Sequence, residues 1–302
     1  MNTPSNVMTE SQSRPEAMAP VEISPARCLY WSVRREIWEN RSIYLVPLGV
    51  GVLIVIATAI NVLHTAPRLH TAPLDPSQQH PAIEAPFIFA SLLLMFSAMI
   101  VSVFYSVDAL YGERRDRSVL FWKSMPVSDT ATVLSKLVIP LLVLPLVTFA
   151  VTFVTQLLML LLGVMRAGPG LWSQLELFRM WWGEFFHLLA LHGIWWAPFW
   201  GWFLLASAWS RRAPLLWATL PPLAIGFSEK IAFGTSHFAH WLNFRFVGGM
   251  DAPPQTYPMS TGMLMSQNPF EFFVNIHLWT GFAMCALFLV LAVRLRRWRG
   301  PV

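Results

Sequence analysis

The chain has 302 residues, of which 55% are apolar and only 12% charged, with 15 Trp and 22 Phe. A soluble globular chain carries about 25% charged residues, so charge here is too sparse to cover a water-facing surface of this size, and the mean hydropathy of +0.52 agrees. Composition excludes disorder, collagen-like repeats and disulfide scaffolds, disfavours an ordinary cytosolic enzyme, and makes lipid the expected solvent for much of the chain.

Residues 1–20 are polar and lack an apolar core, so they are expected to form a disordered tail rather than a cleavable signal. The remainder, 21–302, is expected to be a single transmembrane domain. Residues 25–41 mix Leu29, Trp31, Val33, Ile37 and Trp38 with Arg27, Arg34, Arg35, Glu36 and Arg41. That mixture predicts an amphipathic helix lying in the membrane interface with its arginines towards headgroups. A lipid-spanning helix needs roughly 20 mostly apolar residues, and six windows qualify: 43–63, 87–110, 137–165, 186–209, 213–231 and 273–293. Pro221 and Pro222 interrupt the fifth, where freed carbonyls need neighbours to satisfy them. Residues 64–85, with Pro67, Pro73, Pro76 and Pro81, predict an extended loop. Leu171 to Glu184 predicts a surface helix leading into the fourth span. The segment 232–272 is too polar to span and too apolar to float freely, and predicts re-entrant or surface helices over the bundle.

The basic residues fix an orientation. Five (Arg14, Arg27, Arg34, Arg35, Arg41) precede the first span and five (Arg114, Arg115, Arg117, Lys123, Lys136) lie between the second and third. Arg211 and Arg212 separate the fourth from the fifth, and Arg294, Arg296, Arg297 and Arg299 follow the sixth. The opposite side has Arg68, Arg166, Arg179, Lys230 and Arg245. The positive-inside rule then puts both termini in the cytoplasm, and the net charge of +5 becomes a matter of topology, not of nucleic acid.

Several chemistries find no pattern here. Neither Lys123, Lys136 nor Lys230 follows a Gly, so there is no phosphate-cradling Walker loop. The acids nearest to spans are Asp108 and Glu229, both at span ends, which disfavours a self-powered ion-coupled carrier. Cys28 and Cys285 make no metal or disulfide spacing. His64, His70, His80, His187, His192, His237, His240 and His277 are expected at interfaces or loops, with no metal site.

The connection 111–136 is the most informative segment. Glu113, Arg114, Arg115, Asp116 and Arg117 lead through Ser118 into Val119, Leu120, Phe121, Trp122 and Lys123, before a stop at Pro126. Ser128 with Asp129 makes an N-cap for the helix entering the third span. The mixed charge signs and the Leu-Phe-Trp run describe a short helix with charged and aromatic faces open to a partner.

This loop, ERRDRSVLFWKSMPVSDTATVLSK, resembles the cytoplasmic loop of bacterial ABC-2 type permeases, the membrane subunits of ATP-binding-cassette exporters. The expected topology is similar over the whole chain. The resemblance implies an all-α inner-membrane protein that is not itself an enzyme and that forms a permease dimer. It further implies two copies of a separate ABC-type ATPase subunit, which would hold the ATP and Mg, and no cofactor, metal or nucleic acid in this chain. Carried over, the ATPase-docking coupling helix would be Glu113, Arg114, Arg115, Asp116, Arg117, Ser118, Val119, Leu120, Phe121, Trp122 and Lys123. The alternative is an integral membrane enzyme acting on lipid-like substrates with outer-side His or Glu residues.

Overall fold

A computed structural model describes residues 24–64, 76–117, 128–167, 175–247 and 269–298. The expected tail 1–20, the loop around Arg68 and most of 232–272 lie outside them. Among the described residues the chain is helical throughout, with no strand. Four helices are long and apolar enough to cross a membrane, or five if one bent pair counts as a span. The molecule is a membrane-embedded, multi-pass helical protein.

Helix α1, Pro25–Glu39, starts where the Ser24 side chain accepts from the Arg27 amide, with Pro25 in the first turn where its missing N–H costs nothing. Asn40 breaks it from α2, Ser42–His64. Helix α3 runs from Pro76 to Arg115, 40 residues. At 1.5 Å per residue that is about 60 Å, twice a hydrocarbon core of about 30 Å, so it projects beyond the bilayer. Residues 76–85 are therefore helical and not extended as expected: Pro76 sits at the helix start, the one place where proline favours a helix.

Helix α4, Asp129–Val138, is capped by the Ser128 side chain, which accepts from the Ala131 amide at 3.1 Å. It passes through a π-helical turn, Ile139–Val143, into α5, Leu144–Ala167. Helix α6, Leu177–Phe186, runs into a second π-helical turn, His187–Trp195, and then bends by 46° into α7, Ala197–Trp209. The two π turns meet: a Cβ on Gly193 would collide with the Leu141 carbonyl oxygen, so only glycine permits this approach. Helix α8, Pro214–Phe233, contains Pro221 and Pro222. It is not among the four helices long and apolar enough to cross a membrane. Short α9, His237–Val247, and α10, Pro269–Val274, precede α11, Ile276–Trp298.

The main core joins α7 to α3, α4 and α11 through Leu110, Val133, Leu137, Trp200, Leu204 and Cys285. Gly201 lets the backbones close up, since a Cβ there would lie 3.3 Å from the Cys285 carbonyl oxygen. Around this core the chain leaves large apolar faces open, including Leu53, Ile56 and Ile60 on α2 and Leu220, Phe227 and Ile231 on α8. In water such a surface would aggregate; in lipid it is solvated.

A second expectation fails. Glu184 is buried among α3, α5 and α6, only 1% exposed, so an acid does lie inside the bundle. Of the segment expected to be a surface helix, 171–184, residues 177–184 lie in the first half of the bent pair and 171–174 lie outside the described residues.

Candidate functional site

The positively charged ends of the long helices converge on one buried cluster. Glu36 on α1 accepts at Oε1 from Arg35 at 2.8 Å and from the Lys136 ammonium of α4 at 3.0 Å. Its Oε2 accepts from the Tyr105 hydroxyl of α3 at 2.9 Å. Lys136 also pairs with Glu113, at the end of α3, at 3.1 Å. The Arg296 guanidinium, near the end of α11, bridges Glu113 and Asp129, the latter at 3.0 Å. Four helices from distant parts of the sequence are thus tied at one end by alternating charges. That also places the ends of α1, α3, α4 and α11 on one side of the bundle.

Burial makes this arrangement sensitive to any missing partner. Glu36 is 1% exposed and Lys136 3%. A lone charge here would cost several kcal/mol, and removing one partner of a buried pair typically costs about 3–5 kcal/mol. Burial by itself pushes the Glu36 carboxyl upwards, but the Lys136 ammonium and Arg35 guanidinium outweigh it and hold it below its ordinary value of 4.5. Glu39, one turn on, moves the other way: burial raises it against the weaker pull of Arg35.

The residues expected to form a coupling helix divide. Glu113 turns into the cluster. Arg114 is buried and donates to the Ser207 and Ser210 carbonyls at 2.7 and 2.6 Å, which ties the end of α3 to the end of α7. Arg115, Asp116 and Arg117 are exposed. Arg115 pairs with Asp116 at 3.0 Å and reaches Asp108 at 3.9 Å, and Arg117 takes a left-handed φ of 57° as the helix ends. Ser118, Val119, Leu120, Phe121, Trp122 and Lys123 lie outside the described residues.

Sequence reasoning did not single out Glu36, Tyr105, Asp129, Lys136 and Arg296 as one group. Their available signal was the occurrence of single acids within otherwise basic segments, in a chain with only 16 acids.

At the opposite end, both carboxylate oxygens of Glu229 cap α9: Oε1 accepts from the His237 amide at 2.6 Å and the Thr235 hydroxyl at 2.8 Å, and Oε2 from the Phe238 amide at 2.8 Å. Arg245 then pins α9 onto the bundle. Its guanidinium lies 4.5 Å from the Trp195 ring centre and donates to the His277 carbonyl at 2.6 Å. Among the described residues no group of three or more His, Cys, Asp and Glu side chains could hold a metal.

Helices and cluster together define the class: an all-helical, multi-pass membrane protein with a buried ionic clamp at one end. Comparison with known proteins gives no matching family model and no matching curated protein.

Proposed function

We propose that the chain is the transmembrane permease subunit of an ATP-binding-cassette exporter, forming the translocation pathway and driven by a separate ATPase subunit through the 111–136 loop. It crosses a bacterial inner membrane six times, with both termini cytoplasmic, and works as a dimer with two ATPase copies. The six crossings are the four long helices, the bent pair and α8. An even number is supported by the ionic cluster, because α1 at the start and α11 at the end meet there. Helix α1 lies in the cytoplasmic interface: Trp31 and Trp38 are exposed and flank Arg34 at 5.0 and 5.8 Å, the side chains an interfacial helix uses.

The observation that carries the reading is that both ends of the loop are clamped. Glu113 at its start and Asp129 at its far side share Arg296, and Glu113 shares Lys136 with Glu36. A push on the loop by a closing ATPase pair is therefore delivered to α1, α3, α4 and α11 at once. Among the described residues of the loop, Arg115, Asp116 and Arg117 are exposed and so open to a partner. The enzyme alternative gains nothing from Glu229, whose oxygens already cap a helix.

The test is co-expression with an ABC-type ATPase subunit, followed by co-purification with the Arg115→Glu/Arg117→Glu double variant. We expect retention of the ATPase to fall at least tenfold, about 1.4 kcal/mol of docking. Undiminished retention would remove the loop as the docking site.

A further inference from the structure

The bundle holds a second buried acid whose surroundings are unlike those of the ionic clamp. Glu184 lies between α6, α3 and α5, beside Ser91, Thr152, Gln156 and Trp181. An indole N–H only donates, and Trp181 donates to Gln156 Oε1 at 2.7 Å, which fixes the amide's orientation. The amide nitrogen then gives one hydrogen to Ser91 Oγ at 2.7 Å and the other to Glu184 Oε2 at 3.2 Å. The Ser91 hydroxyl donates to the Phe87 carbonyl at 3.1 Å, and the Thr152 hydroxyl to the Thr148 carbonyl at 2.8 Å. Among the described residues Glu184 Oε1 is buried without a hydrogen-bond partner, with the Ser91 and Thr152 hydroxyls beside the carboxyl. Lone pairs remain free on Ser91 Oγ and Thr152 Oγ1.

We propose that Glu184 is a proton-binding site within the bundle, taking one proton on Oε1 and holding it in the cage of Ser91, Thr152, Gln156 and Trp181. The step is –COO⁻ + H⁺ → –COOH: one O–H bond forms, no electron moves, and the proton comes from water. The new O–H donates to Thr152 Oγ1, whose lone pairs are free, so the oxygen that lacked a partner gains one. The ionised form accepts from the Gln156 amide at 3.2 Å and has only neutral hydroxyls, Ser91 and Thr152, beside it. An intramembrane carboxylate without a cationic partner among the described residues is the expected mark of a proton or ion site.

The packing selects the proton over larger cations. Oε1 is out of reach of a water-sized sphere, whereas a metal ion needs several oxygens around it and an ammonium needs a cavity. Aromatic rings close the neighbourhood instead, with Phe153 4.6 Å from Trp181 and Phe149 5.1 Å from Phe185. From α3 and α5 the side chains against the carboxyl are Ser91, Thr152 and Gln156, none of which ionises. Among the described residues no Lys or Arg pairs with it, and the nearest titratable group along its own helix is His187. Exchange with water then requires α6 to move. The π-helical turn and the 46° bend that follow Glu184 supply the irregular segment about which it can do so. The inference does not depend on the ATPase partner.

Infrared difference spectroscopy of the purified protein in lipid nanodiscs tests it. At neutral pH the wild type should show the C=O stretch of a protonated carboxyl, shifted in D2O and bleached as the pH is raised. Glu184→Gln should abolish that band. Thr152→Val, which removes an acceptor, should shift it, and so provides the readout if Glu184→Gln does not fold. A wild type without the band at neutral pH would overturn the site. So would a band that survives Glu184→Gln, or one that is unmoved in Thr152→Val.

Discussion

Two buried glutamates, Glu36 at the basic end and Glu184 inside the bundle, are equally inaccessible and live in opposite surroundings. Around Glu36, both oxygens are filled by Arg35, Lys136 and Tyr105, and the charge is passed on through Glu113 to Arg296 and Asp129. Around Glu184 there are the Gln156 amide and the Ser91 and Thr152 hydroxyls, all neutral, and no cation among the described residues. The first arrangement cancels charge and so fixes geometry: four helix ends are held in one register. The second leaves a deficit that a single proton removes. The same side chain is structural in one place and chemically responsive in the other, and the partners decide which.

Removing a partner from each site separates the two cases. The largest effect is expected from Lys136→Met, which leaves Glu36 and Glu113 without their shared ammonium. It should lower stability by about 3 kcal/mol, read as thermal unfolding in detergent or nanodiscs. A smaller effect lies in the acid limb. Because Glu36 is held below its ordinary 4.5 in the folded state, its stabilisation is present above that value and is lost as pH falls beneath it. A melting-temperature profile against pH should fall there in the wild type and fall less in Glu36→Gln. The smallest effect is expected from Glu184→Gln at neutral pH, because glutamine resembles the protonated acid: no loss of melting temperature. A loss at Glu184 as large as that from Lys136→Met would make the two sites alike and break the contrast.

The helices were legible because long apolar runs need no partner to be recognised. Windows 43–63, 87–110 and 137–165 fall within α2, α3 and α4–α5. The Ser128 cap was equally local, contained within residues 128–131. What escaped was non-local. Glu36 and Lys136 are 100 residues apart, and Glu113 and Arg296 are 183 apart; counting charges per loop records each group without its partner. Glu184 escaped for a different reason. Its flanks, Trp181, Trp182, Phe185 and Phe186, are aromatic on every face, so no polar stripe marks which side is buried. Its burial is set by Gln156 and Ser91, on helices that the local pattern does not see. The limits of α3 were misjudged because four prolines between 64 and 85 suggested a loop, although a proline at the first helical position opens a helix.

The most direct test of the permease reading is the stoichiometry of the wild-type complex, measured by native mass spectrometry after co-expression with an ABC-type ATPase subunit. Two copies of this chain with two ATPase copies are predicted, and the Arg115→Glu/Arg117→Glu variant should yield the chain without the ATPase. A wild-type chain that never retains an ATPase subunit would contradict it.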